Sequence, residues 1–303
     1  MHFNNCTKRD YTFRDYLREM TSHEAQIHVK NLDIPDNIED MTRKQALKHC
    51  PDVLALYDEM IDTIRMSSYE KSVEFIDDII KDPKLKFLLS LGFGGNFASL
   101  HLRINNDVVS ARTLIPTQRE IGLKESLDFI LGSADKYKPQ NTIACFEDAH
   151  SGAMIKRPIV TFNKTFIVDG HHRWSQMFIT NPKTKIKAVN ITGNLPIISL
   201  LKAIQSTIGS NTGDLHLKPI KGSNIFDMSD TDIDNYINDN LSQKAYNVLE
   251  QFYDDPVESI YNNTLLLKYN TVHISSCVER DLMPQTSKDI SLFTDLKNGV
   301  ESV

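Results

Sequence analysis

The chain has 303 residues, with 34 Lys and Arg against 40 Asp and Glu, a formal charge of −6, and 40% of it is hydrophobic. That apolar share supports a core and excludes dominant disorder, while the acidic balance argues against a protein that coats nucleic acid through charge alone. The longest apolar runs, such as Leu195–Leu201, fall short of the ~20 residues that span a bilayer. The start, Met-His-Phe-Asn-Asn-Cys, lacks the basic and apolar stretches of a signal peptide, so no membrane role and a cytoplasmic location are expected.

Along the chain the pattern divides at 1–100, 101–195 and 196–303. The first region reads as helical. Thr42-Arg-Lys-Gln45 and Ser67-Ser-Tyr-Glu70 fit the capping box, in which a hydroxyl and a carboxyl or amide three residues on satisfy orphan amides. Val53, Leu54, Leu56, Tyr57, Met60, Ile61 and Ile64 recur at a helical period after the first box; Val73, Phe75, Ile76, Ile79 and Ile80 do so after the second. Pro83 opens a further helix, which Gly92-Phe-Gly-Gly95 is expected to stop. No Gly-Lys-Ser/Thr follows those glycines, so a phosphate loop there is the weaker reading.

The middle region changes character. Asp107–Ile115 is rich in β-branched residues and predicts a strand ended by Pro116; Lys124–Leu131 predicts a short helix. Pro158–Phe162 and Thr165–Val168 predict a hairpin joined by Asn163-Lys164. Gly170 breaks the pattern, His171–Thr180 is helical with Trp174, Met177 and Phe178 on one face, and Lys185–Thr192 is a strand. In the last region Leu195–Ile208, Asp232–Leu241, Ala245–Tyr253 and Ile260–Leu267 predict helices, the second capped near Ser229-Asp-Thr-Asp232. The acid-rich run Asp227–Asp239 lacks the EF-hand glycine and closing glutamate and reads as a solvated, capped helix. Cys6, Cys50, Cys145 and Cys277 have no short spacing, which predicts reduced thiols rather than disulfides or zinc.

Chemistry concentrates in Phe166-Ile-Val-Asp-Gly-His-His-Arg-Trp174, a strand running into Asp169-Gly170 and straight on into a helix. The first turn of a helix carries free backbone amides and the positive end of the dipole. A phosphate there would meet amides, the imidazoles of His171 and His172, and the planar fork of Arg173. Asp169, at the strand end, is suited to hold a metal, orient a hydroxyl or remove its proton. The plainer alternative is an Asp-Gly turn with Asp169 as an ordinary N-cap. His171 and His172 diverge by roughly 100° on a helix, which disfavours a shared metal. A ββα-metal nuclease would need a late Asn or His in the helix, and Gln176-Met-Phe-Ile-Thr-Asn181 offers no late His.

Pro158 to Trp174 resembles the second box of the ParB/sulfiredoxin superfamily, an apolar strand, a second strand, then Gly-x-x-Arg opening a helix. The form Asp169-Gly170-His171-His172-Arg173 is most similar to the free serine kinases of that superfamily. Upstream, Leu114-Ile-Pro-Thr-Gln-Arg-Glu-Ile121 with Ser126-Leu-Asp-Phe-Ile130 resembles its first box. The resemblance implies a small mixed-sheet domain that binds ATP, ADP or CTP with Mg2+. Gly170, His171, His172 and Arg173 would then lie on the phosphates, Asp169 at the substrate and Glu120 as the second carboxylate, supported by Gln118 and Arg119. The sulfiredoxin cysteine is His171 here, which disfavours sulfinic-acid reduction. The partition proteins' second arginine-rich box and recognition helix have no counterpart. Val278-Glu-Arg-Asp-Leu-Met-Pro-Gln-Thr286 reads as a surface loop in preference to a segment closing over the site.

The expectation is therefore an α+β protein, a ParB/sulfiredoxin-like domain flanked by helical extensions, performing phosphoryl transfer to a small-molecule acceptor or nucleotide hydrolysis. The alternative is a DNA-associated ParB-like protein, a nucleotide switch or a nuclease. A scaffold that forms a homo-oligomer through its helical flanks is the third.

Overall fold

The computed structural model describes residues 34–41, 45, 64, 67–93, 102–133, 158–215, 219, 222–275 and 277–285. The Thr42 box, most of the periodic run after it, Gly94-Gly95, and Cys6, Cys50 and Cys145 lie outside them. Among the described residues there are eight α-helices and five strands in a mixed α+β arrangement. In chain order they are α1 (Tyr69–Ile80), α2 (Pro83–Phe93), β1 (Arg103–Ser110), β2 (Ile115–Pro116), α3 (Leu123–Leu131), β3 (Ile159–Phe162), β4 (Phe166–Asp169), α4 (His171–Thr180), β5 (Lys185–Thr192), α5 (Ile197–Thr212), α6 (Asp230–Asn240), α7 (Gln243–Leu249) and α8 (Pro256–Asn270). No helix among the described residues is long and apolar enough to cross a membrane. The chain divides into two compact units, Met1–Gly94 with Lys202–Leu215, and Gly95–Leu201 with His216–Val303.

In the first unit, α1 is capped by Ser68, whose hydroxyl accepts the Lys71 amide at 3.3 Å. The cap falls one residue after the expected Ser67, whose carbonyl instead receives the Lys202 ammonium. Asp82 starts α2 by accepting the amides of Lys84 and Leu85, and the helix runs through Gly92 to Phe93 rather than ending at the first glycine. Gly209 of α5 lies so close to Ile76 and Ile80 of α1 that an added Cβ would approach each to 3.3 Å.

The second unit is built on a sheet of order β1-β5-β3-β4-β2. β1 and β5 pair antiparallel from Arg103↔Thr192 to Ser110↔Lys185, β5 and β3 pair parallel, β3 and β4 form an antiparallel hairpin, and β2 adds parallel to β4. β3, Ile-Val-Thr-Phe, is buried at all four positions, as a central strand covered on both faces should be. Its turn places Asn163 and Lys164 at positive φ, 50° and 57°, the handedness a tight hairpin needs. Asn190 of the neighbouring strand secures the turn by accepting from Lys164 N–H at 2.8 Å and from the Thr161 hydroxyl at 3.1 Å.

The expected strand Asp107–Ile115 is interrupted. β1 starts earlier, at Arg103, and the chain breaks at a 3-10 turn, Ala111–Thr113. The reason is topological: β1 and β2 are opposite edges of the sheet, so residues 111–114 must carry the chain from one edge to the other. Ala111 is pinned there by its amide on Thr184 O and by its carbonyl, which accepts the Trp174 indole N–H at 2.8 Å.

The core joins Ile159, Ile167, Ile186 and Ala188 of the sheet to Leu127 and Ile130 of α3 and to Trp174, Met177 and Phe178 of α4. It extends without a break to Ile233, Ile237, Leu249, Ile260 and Leu267 of α6–α8, so the C-terminal helices share one core with the sheet. This region also finishes α4: Asn263 of α8 donates to Ile179 O at 2.7 Å and the hydroxyl of Tyr253, between α7 and α8, donates to Thr180 O, satisfying carbonyls that a helix end leaves unpaired. The anchoring of α4 at its C-terminus fixes where its N-terminus points.

Candidate functional site

β4 ends at Asp169 and α4 begins at His171, so one residue, Gly170, must reverse the chain. It does so at φ +93°, the left-handed region that glycine enters without strain. A Cβ there would also meet Ile159 Cγ2 at 2.7 Å. Gly170, not Asp169, is the N-cap, and it brings no capping side chain. The first intrahelical bond is Trp174 N–H to Gly170 O at 2.9 Å, so the amides of His171, His172 and Arg173 precede the helix's own ladder.

This helix start opens into a cavity of about 220 Å³. Asp169, Gly170, His171, His172 and Arg173 line one side of it, Gln118 contributes from the segment after β2, and Arg280, Met283, Pro284 and Gln285 complete it. Residues 278–285, read from sequence as a surface loop, thus form a wall of the cavity. Val278 forms a parallel bridge with Gln118; its amide binds Thr117 O and its carbonyl accepts from Arg119 N–H, both at 3.0 Å. The Glu120 carboxylate accepts the Arg280 amide at 2.7 Å. These bonds lay the segment against the cavity as a strap.

The expected residues fall into different places. His171 is buried, and its Nε2 accepts the Thr117 amide at 3.1 Å. Burial above all, then the nearby charges of His172 and Arg280, push its pKa well below the ordinary histidine value, so the ring is neutral with Nδ1 carrying the hydrogen. His171 can therefore offer a neutral N–H but no positive charge. His172 Nε2 faces the Gly122 amide at 3.3 Å and its Nδ1 faces Arg280 Nη1 at 3.3 Å. Arg173 donates to Pro158 O at 2.8 Å and pairs with Asp169 at 3.2 Å, so two of its five N–H groups already clamp the strand end.

Glu120 is not among the cavity-lining residues; its carboxylate braces the strap. Gln118, 1% exposed, lines the cavity and donates its amide to Glu120 O. Arg119 lies outside the cavity, in an exposed pair with Glu279. Within the stretches Leu114–Ile121 and Val278–Thr286 nothing in the sequence singles out Thr117 or Arg280: Thr117 is distinguished by its bond to His171, and Arg280 reaches the cavity because Val278 pairs with a residue 160 positions earlier.

Among the described residues no group of three or more His, Cys, Asp or Glu is placed to hold a metal alone. Magnesium carried in with phosphates asks less of the protein, commonly one or two carboxylates, and Asp169 is the carboxylate that lines the cavity. Its Oδ2 binds Arg173, leaving Oδ1 to meet an ion or a hydroxyl. No family model, curated protein or solved structure matches the chain.

Proposed function

We propose that the chain is a nucleotide-binding enzyme of the ParB/sulfiredoxin type that performs phosphoryl transfer or nucleotide hydrolysis at the Asp169–Arg173 turn. The observation that carries this reading is the left-handed Gly170, which turns a strand-end carboxylate and the open amides of a ten-residue helix into one cavity. Oriented amides and the dipole favour a phosphoryl group there, and the neutral His171 adds a hydrogen-bond donor without repelling the Mg2+ that accompanies nucleotides. At about 220 Å³ the cavity is smaller than the roughly 300–1,000 Å³ of whole-ligand pockets. It suits the phosphate end of a nucleotide, with base and sugar lying outside.

In this reading Asp169 takes the proton of the attacking hydroxyl, from a small-molecule acceptor or from water. A bond forms from that oxygen to phosphorus, the bond to the departing nucleotide oxygen breaks, and the leaving group keeps the electron pair. Mg2+ bound with the phosphates would offset their charge. Arg173, clamped between Asp169 and Pro158, keeps the carboxylate aimed at the cavity. Such chemistry is mostly positioning, which suits a turn held by backbone geometry.

The test is a thermal-shift and turnover panel of ATP, ADP, CTP and GTP, each with and without Mg2+. A ligand that binds only the native chain raises the melting temperature by mass action. A shift with one nucleotide, and turnover lost in Asp169→Asn with binding retained, is the expected result. No shift with any nucleotide, together with DNA binding that falls steeply with salt, would replace this reading by the DNA-associated one.

A further inference from the structure

The strap delivers Arg280 to the cavity in an uncommon condition for a half-buried cation. Its backbone amide is held by Glu120, but its guanidinium forms no ion pair among the described residues. Among the described residues Nε is buried without a hydrogen-bond partner, and Nη1 lies 3.3 Å from His172 Nδ1. That contact is contested, because the Gly122 amide points at the other nitrogen of the same ring. A neutral imidazole has one bare nitrogen and cannot accept from both donors. Burial lowers the Arg280 pKa, and the carboxylates of Glu125, Asp169 and Glu120 pull it back up, so the side chain stays charged. A charged fork with open N–H groups, beside the positive end of a helix, is arranged to receive an oxyanion.

We propose that Arg280 is the main phosphate-binding cation of the cavity, and that phosphate capture docks the Cys277–Gln285 strap onto the site. The proposal rests on the nucleotide reading and names the side chain that recognises the phosphate in it. Arg173, the arginine of the motif, already binds Pro158 O and Asp169 and acts as a positioning residue. Arg280 faces it across the same cavity lining with its donors largely unspent. A phosphoryl oxygen that takes Nε and an Nη of Arg280 would satisfy the buried donor and release the His172 ring from its contact with Arg280. Because the amide and carbonyl of Val278 and the amide of Arg280 fix the strap to Thr117, Arg119 and Glu120, a ligand that holds Arg280 favours the docked strap over an open one.

The experiment titrates the full chain with pyrophosphate and with ATP, both with Mg2+, in wild type, Arg280→Ala and Arg280→Lys. Hydrogen exchange of the amides of residues 277–285 is followed in parallel. Arg280→Ala is expected to weaken Kd by about 10- to 100-fold, the scale of a charged hydrogen bond, with partial recovery in Arg280→Lys, which keeps the charge but loses the fork. Ligand should slow strap exchange in wild type and leave it unchanged in Arg280→Ala. ATP binding that is equal in wild type and Arg280→Ala would overturn the Arg280 proposal and leave the nucleotide reading intact. Pyrophosphate binding that depends on Arg280, without any nucleotide binding, would do the reverse. A chain that binds neither would remove both.

Discussion

The imidazole of His171 and the backbone amide of Thr117 meet at 3.1 Å, joining the first residue of α4 to the segment that carries Gln118 to the cavity. The Thr117 hydroxyl donates in turn to Ile167 O on β4, so one threonine ties the helix start to the strand that leads into it. The bond needs a bare Nε2, which only the neutral ring supplies.

That requirement sets a pH dependence. Burial holds the folded-state pKa of His171 well below 6.5, while the unfolded chain protonates near 6.5. As pH falls through 6.5 the unfolded chain takes a proton that the folded chain refuses, so stability declines toward acid, at up to about 1.4 kcal/mol per pH unit from this group. His273, also lowered by burial, adds to the wild-type decline. His171→Gln keeps an acceptor for Thr117 and loses the titration. Urea unfolding between pH 7 and 5 should therefore give a shallower slope in the variant, and equal slopes would refute a buried, neutral His171.

Gly170→Ala tests the turn itself. At φ +93° a side chain costs about 1–3 kcal/mol, and the new Cβ would press on Ile159 Cγ2 in the central strand. Relief would have to come from moving either the helix start or β3. Trp174, the chain's one tryptophan and 1% exposed, sits in the first turn of α4 and reports the loss through its fluorescence during urea unfolding. A loss of about 2–4 kcal/mol is expected, together with weaker nucleotide binding than a distant mutation of equal cost would give. Unchanged stability would mean that the strand-to-helix turn does not hold the geometry described.

Much of the sheet and of α4 was legible because local chemistry dictates it. Asn163-Lys164 fits a tight hairpin, Gly170 ends a strand, and the Trp174, Met177 and Phe178 stripe fits a helix packed on one face; the structure places β5 and α4 at the expected residues. β1 was misjudged because it is an edge strand with a polar start, Arg-Ile-Asn-Asn, whose pairing with β5 leaves no hydrophobic period to read. α5 runs on to Thr212, past Ile208, with the polar Ser210 still buried, and α8 starts ahead of its apolar period at Pro256, where the Asp255 carboxylate caps it by accepting the Glu258 amide at 3.0 Å. At the cavity the contiguous Asp169–Arg173 turn was visible, while the strap read as a surface loop in preference to a segment closing over the site. Its pairing with Thr117 and Gln118 is a bond between remote backbones, which carries no residue-type signature.

Lys202 offers a test of the first unit that does not depend on any reading of the cavity. Its side chain is 2% exposed, and its ammonium donates to Ser67 O just ahead of the α1 cap. Burial pushes its pKa down to about 8, with Glu70 partly opposing. The unfolded value is near 10.5, so between pH 8 and 10.5 the unfolded chain holds a proton that the folded chain has released. Stability from this group therefore rises with pH across that window, and below pH 8 the full cost of burying the ammonium remains. Lys202→Met keeps the apolar stem and removes the charge, so at pH 7 it should be at least as stable as wild type. Between pH 8 and 10 the wild type should gain on the variant by on the order of 2–3 kcal/mol, measured by urea unfolding at each pH. A variant that runs parallel to wild type throughout would place the Lys202 ammonium in solvent, and with it the anchor that moves the α1 cap from Ser67 to Ser68.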